Sequence, residues 1–125
     1  MTQIDIEYHK RFLREKRKLM REYPSIENDF EDFKTALITD IRYNNYSVPH
    51  DNKKYFRITG LDETVSLPAF LGKAFYCEKM NKGSNSGFRV TFIYDPSENL
   101  ILFIQFYHED ETKIDKERIN HLFKI

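Results

Sequence analysis

Phe88-Arg89-Val90-Thr91-Phe92-Ile93-Tyr94, then the turn Asp95-Pro96-Ser97-Glu98-Asn99, then Leu100-Ile101-Leu102-Phe103-Ile104-Gln105-Phe106-Tyr107-His108, decides the fold of this chain. Both apolar runs are β-branched and aromatic, and a Pro- and Asn-bearing turn separates them. They read as consecutive antiparallel strands over 88–95 and 99–108. Upstream, Lys79-Met80-Asn81-Lys82-Gly83-Ser84-Asn85-Ser86-Gly87 has the Gly, Ser and Asn of a turn, and an apolar strand over 71–80 leads into it. The three strands form a meander. Its turns bring Lys79, Lys82, Arg89, Tyr107 and His108 toward one another, and cations with a phenol and an imidazole suit RNA phosphodiester chemistry.

Working outward, Ile4, Ile6 and Tyr8 alternate with polar residues, so residues 3–8 read as a short strand. From His9 to Tyr23 the period changes: Phe12, Leu13, Lys16, Leu19, Met20 and Tyr23 share one helical stripe. Pro24 stops that helix. Ser25 is the expected N-cap of the next, with Glu27 and Asp29 complementing its dipole. Ile26, Phe30, Phe33 and Leu37 carry that second helix through residue 38. Residues 40–70 are punctuated by Asn44-Asn45, Pro49-His50-Asp51-Asn52, Gly60 and Pro68, and read as an enlarged irregular segment. Tyr43, Tyr46, Tyr55 and Phe56 imply that it packs. After the meander, Asp110-Glu111 open a C-terminal helix over 111–122, carried by Ile114, Ile119, Leu122 and Phe123. The expected fold is therefore α+β: an N-terminal strand, a helical hairpin, a three-stranded antiparallel meander and a C-terminal helix. All 125 residues make one domain, its helices covering one face of a small sheet.

Lysine plus arginine equals aspartate plus glutamate, 20 each, but the charges are not mixed evenly. Lys10, Arg11, Arg14, Lys16, Arg17, Lys18 and Arg21 face only Glu15 in the first helix, and the second answers with Glu27, Asp29, Glu31, Asp32 and Asp40. Arg14, Arg17, Lys18 and Arg21 can form a local anion-binding field despite zero net charge, or the two helix faces can neutralise each other. The single Cys77 cannot form an internal disulfide, which fits a cytoplasmic location. No apolar run reaches membrane-spanning length, and the His and Cys residues lack metal-ligand spacing, so no metal or cofactor is expected. His9, His50 and His121 read as structural or surface residues.

The helical hairpin with Phe12-Leu13-Arg14-Glu15-Lys16-Arg17-Lys18-Leu19 and Tyr23-Pro24-Ser25, the piece Ile58-Thr59-Gly60-Leu61, Lys73, the run Gly83-Ser84-Asn85-Ser86-Gly87-Phe88-Arg89-Val90 and the strand end Phe106-Tyr107-His108 occur in an order that resembles the RelE/ParE superfamily of toxin–antitoxin toxins. The resemblance covers the chain apart from 40–70. It implies the toxin of a type II system, a ribosome-dependent mRNA endoribonuclease in which the 2′-OH attacks the adjacent phosphate and translation stops. The implied partners are a cognate antitoxin, mRNA and the ribosome. By position, Arg89 matches the family's Gly-aromatic-Arg arginine and would clamp the transition-state phosphate. His108 would move a proton. Tyr107 would orient the phosphate or stack on a base, and Lys79 and Lys82 would add charge. Lys73, Lys113 and the four helix cations would face RNA. Two positions depart from the pattern: Glu109-Asp110-Glu111 follow the Tyr-His pair where a basic residue is common, and Phe75 replaces another.

Taken alone, the same residues have plainer readings. Arg89 can pair with Glu78 across the hairpin, Lys79 and Lys82 can serve solubility, and His108 can be salt-bridged by its acidic neighbours. Only one of Phe106 and Tyr107 can face the helices. The competing functions are a non-cleaving toxin that inhibits DNA gyrase and an interaction domain of the same fold without activity.

Overall fold

A computed structural model of the chain describes residues 3–49, 54–73 and 86–124. The elements run β1 (Asp5–Tyr8), α1 (Lys10–Glu22), α2 (Ile26–Tyr43), β2 (Tyr55–Arg57), β3 (Ala69–Gly72), β4 (Phe88–Asp95), β5 (Leu100–His108) and α3 (Lys116–His121). They build a mixed α+β fold around a five-stranded sheet of order β1-β5-β4-β3-β2. β3, β4 and β5 are antiparallel neighbours, as the meander requires, and β2 extends them on one side. β1 pairs with β5 in parallel, because the helical hairpin carries the chain away and lets the meander return beside it.

The sheet is covered on both faces, not on one as the sequence implied. On the first, α1 and α2 bring Phe12, Leu19, Ile26, Phe30, Phe33 and Leu37 against Phe70, Phe88, Val90, Phe92, Phe103 and Phe106. On the second, Ile58, Ala69, Leu71, Ile93, Ile104, Tyr107 and Ile119 form another core beneath α3 and the segment after β2. Strand alternation produces both: Phe92 points to one core and Ile93 to the other. A bulge breaks the alternation in β5. Thr91 pairs with Gln105 and Phe92 with Phe103, so Ile104 has no partner on β4.

Several boundaries differ from the sequence reading for physical reasons. His9, not a helical residue, caps α1 by accepting the Arg11 N–H at Nδ1 (3.1 Å). Leu13 is 44% exposed, on the edge of the basic face and not in the apolar stripe. Ser25 stands at the start of α2, but its hydroxyl donates to the Asp29 carboxylate (2.8 Å) and caps no N–H. α2 continues past 38 because Leu37 and Ile41 keep its buried stripe going. It ends where Asn45 and Tyr46 turn left-handed (φ 59° and 58°) and donate to the Arg42 and Ile41 carbonyls. Asp110 and Glu111 form a tight turn after β5, in which Glu111 and Thr112 N–H donate to the His108 carbonyl. α3 starts later, capped by Asp115, which accepts the Arg118 N–H (3.0 Å). Within 40–70, Tyr55 is buried and donates to Asp40 (2.6 Å), whereas Tyr43 is 87% exposed and packs against little. The strand expected over 71–80 is seen as Ala69–Gly72, and residues 74–80 lie outside the described residues. Gly72 is required there, since a Cβ would sit 2.4 Å from Phe33 Cζ.

Candidate functional site

At one end of the sheet, three chemistry-bearing residues lie on β4, on β5 and just past β3. Arg89 is opposite Tyr107 in the β4–β5 register. Gly72, the last residue of β3, is opposite Val90, and Lys73 follows it at the same end of the sheet. Directly opposed residues share a face and lie close enough to act together. Arg89 and Tyr107 therefore occupy the α3 side of the sheet, the side of Tyr107 in the second core. The Arg89 side chain is only 11% exposed; its guanidinium donates to the Phe88 carbonyl (3.0 Å) and forms an ion pair with Glu109, the residue after His108. Lys73 Nζ lies 4.5 Å from the Phe56 ring centroid, a cation–π contact. Burial pushes the Tyr107 phenol up to about 12, the Arg89 charge opposing and the Glu109 charge assisting. At neutral pH it is a hydrogen-bond donor, not a base.

His108 faces the other way. It is opposite Phe88 in the register and its ring meets the Phe88 ring edge-on at 4.9 Å, on the α1–α2 side. The expected Arg89–His108 pairing is therefore not formed: neighbouring positions on antiparallel strands send them to opposite faces. Both imidazole nitrogens are engaged. Nδ1 accepts the Asp110 N–H (3.2 Å), which leaves the proton of the neutral ring on Nε2, where it donates to the Ser86 carbonyl (2.9 Å). Gly87 lies against the ring at φ 86°, and a Cβ there would be 2.5 Å from Nε2. The exposed edge of His108 opens into a cleft of about 280 Å³, which Glu15, Lys18, Leu19, Phe106, Glu111 and Thr112 also line.

The cations of α1 sort into two groups. Lys16 pairs with Glu27 of α2 (3.7 Å) and lies over Phe30, and Arg11 pairs with Asp115 (3.4 Å). Arg14, Arg17, Lys18 and Arg21 are exposed and have no acidic partner among the described residues. At 100° per residue, Arg14, Arg17 and Arg21 lie opposite the buried Phe12–Leu19 stripe and form a solvent-facing ridge. Among the described residues, the ion pair between the two helices is Lys16 with Glu27. Lys113 is exposed on the segment before α3, its carbonyl held by the Gln105 amide (2.9 Å). Lys79 and Lys82, with Cys77, lie outside the described residues. Among the described residues, no group of His, Cys, Asp and Glu is placed to hold a metal ion, and no helix is long and apolar enough to cross a membrane.

The sequence reading missed the clasp that supports this end of the sheet. β1 stops pairing at Phe103, which leaves the outer edge of β5 beyond it without a strand. Glu15 accepts the Phe106 N–H (3.1 Å), and Arg118 donates to the Ile104 carbonyl (2.6 Å). The two side chains then grip each other through paired hydrogen bonds of 3.0 and 2.7 Å. The Arg118 side chain is 3% exposed. Burial works against its charge, but the Glu15 hydrogen bonds and the Glu15 and Asp115 charges prevail and hold its pKa above the usual value. Arg118 Nε is 3.4 Å from Asp115 but not aligned for a hydrogen bond. One signal was present: Glu15 is the single acid within the basic run 10–21, and it falls beside the buried stripe. Comparison of the chain with protein-family models, with curated proteins and with solved structures returned no match. The fold and site thus define a small α+β protein with a basic helix ridge and cations at a sheet end.

Proposed function

We propose that this chain is the toxin of a type II toxin–antitoxin system of the RelE/ParE kind, a cytoplasmic protein that blocks translation by cutting mRNA on the ribosome. The observation that carries the reading is Arg89 opposite Tyr107 on β4 and β5, with Lys73 one residue past the end of the adjacent strand β3. Two cations and a phenol supply two of the things 2′-OH attack needs, charge on the crowded phosphorane and a donor to a phosphate oxygen; the third, an acceptor for the 2′-OH proton, is not among these three side chains. The element order strand, helical hairpin, meander, helix agrees with what the resemblance implies. The exposed Arg14, Arg17, Lys18 and Arg21 supply a surface for RNA backbone, whose affinity should fall steeply with salt. In this reading Glu109 occupies the Arg89 guanidinium until a phosphate displaces it.

Induced expression in a bacterial host tests the proposal, with growth and mRNA 5′ ends followed together. Arrest with new 5′ ends inside coding sequences is expected, and co-expression of an antitoxin should relieve it. A second reading, a non-cleaving toxin of the gyrase-inhibiting kind, draws on the separation of Arg89 from His108. It predicts arrest without new 5′ ends. An absence of arrest from well-folded protein would leave only the inactive interaction domain.

A further inference from the structure

We propose that His108 is a positioning residue, which clamps the backbone around Arg89 and Glu109, and that it is not the proton carrier of the reaction. The proposal rests on the RNA-cleaving reading above and deepens its site. A general base needs a lone pair, and the imidazole's single lone pair, on Nδ1, accepts the Asp110 N–H (3.2 Å). A general acid needs a proton aimed at a leaving oxygen, and the Nε2 proton is aimed at the Ser86 carbonyl (2.9 Å). The side chain is 13% exposed.

What the ring joins is informative. Ser86 and Gly87 lead directly into β4, three and two residues before Arg89, and Asp110 follows Glu109 in the turn after β5. The Glu109 N–H donates to the Gly87 carbonyl (2.9 Å), so the same two stretches are tied through backbone as well. The imidazole therefore fixes both partners of the Arg89–Glu109 ion pair from the opposite face of the sheet. Gly87 is part of the device. Its φ of 86° and the 2.5 Å approach of a Cβ to Nε2 mean that only glycine lets the ring close on this turn. The charged groups that face His108 are Asp110, 3.9 Å from Nδ1, Glu111 of the same turn, and Glu15 and Lys18 across the cleft on α1.

The test uses the full chain and three variants: His108→Gln, His108→Ala and Gly87→Ala. The side-chain amide of glutamine can donate to Ser86 but does not titrate. We expect His108→Gln to retain cleavage of ribosome-programmed mRNA within about tenfold of wild type with an unchanged pH profile. His108→Ala and Gly87→Ala should lose activity together, while their thermal unfolding confirms that they fold. General acid–base catalysis is worth roughly 100- to 10,000-fold. A loss of that size in His108→Gln, together with loss of one limb of the pH profile, would overturn the proposal. Side-chain 15N NMR supplies a readout independent of activity: wild type should show the Nε2–H tautomer, and Gly87→Ala should disturb it. If wild type cuts no mRNA, the cleavage reading fails, yet these spectra still decide the clamp. An Nδ1–H tautomer, or spectra insensitive to Gly87→Ala, would contradict it.

Discussion

On the α1–α2 side of the sheet, Phe12, Phe30, Phe103 and Phe106 meet ring to ring with centroids 5.0 to 5.7 Å apart. On the α3 side the core is aliphatic apart from Tyr107, and polar side chains hold its periphery. Gln105 grips the carbonyl of Lys113 and the N–H of Asp115, Asn120 accepts the Asp62 N–H, and Arg118 clasps Glu15. The aromatic face binds through buried area and ring-to-ring contact. The α3 face depends on hydrogen bonds that connect named atoms, each costly if only one partner is removed. Arg89 and Tyr107 lie on the second kind of face, which suits a site that needs fixed geometry.

The largest effect that can break this contrast is in the aromatic core. Phe12→Ala should destabilise by about 3–5 kcal/mol, since it removes a ring at the centre of four partners and leaves a cavity. Urea unfolding measures it. Next comes the clasp. Arg118→Ala strands the Glu15 carboxylate and the Ile104 carbonyl of β5, and about 3 kcal/mol should be lost. The paired replacement Glu15→Leu with Arg118→Met should recover part of that loss, because neither charge is then left alone. Equal losses in the single and double variants would mean that Arg118 contributes by packing and not through the ion pair.

A smaller effect follows from His9 at the α1 N-terminus. Burial, then the Arg118 and Arg11 charges, hold its pKa below 6.5, and its Nδ1 must stay unprotonated to cap Arg11. A group whose folded pKa is lowered in this way adds stability above its unfolded value. That stability is lost as pH falls below 6.5 toward the folded value. Thermal melts between pH 7.5 and 5 should fall less steeply for His9→Asn, which caps without titrating. Identical slopes would remove His9 from the pH response.

The aromatic face is the part that the sequence made legible. Phe12, Phe30, Phe33 and Leu37 recur at helical spacing, and β4 and β5 are nearly continuous β-branched and aromatic runs, so the hairpin and two strands could be located to within a few residues. The α3 face was not legible, because its organising residues are polar and act through partners far away in the chain. Gln105 looks like an interruption in an apolar run until the bulge turns it toward residues 113–115. Arg118 looks like a surface arginine of a short helix. At the site, residue types and strand ends were readable, but faces were not. The β4–β5 register divides Arg89 from His108 and unites Arg89 with Tyr107, and a sequence does not display its register. Glu109, which follows the Tyr107-His108 pair as a foreign acid, turned out to be the ion-pair partner of Arg89.

The most direct test is to map mRNA 5′ ends after induction of wild type and of Arg89→Ala, matched for expression and for thermal stability. Removal of a preorganised charged donor typically costs on the order of 100- to 1000-fold in rate. The account predicts new 5′ ends within translated mRNA for wild type and their disappearance, together with the growth arrest, in Arg89→Ala. New ends that persist undiminished in folded Arg89→Ala, or arrest by wild type with no new ends, would contradict it.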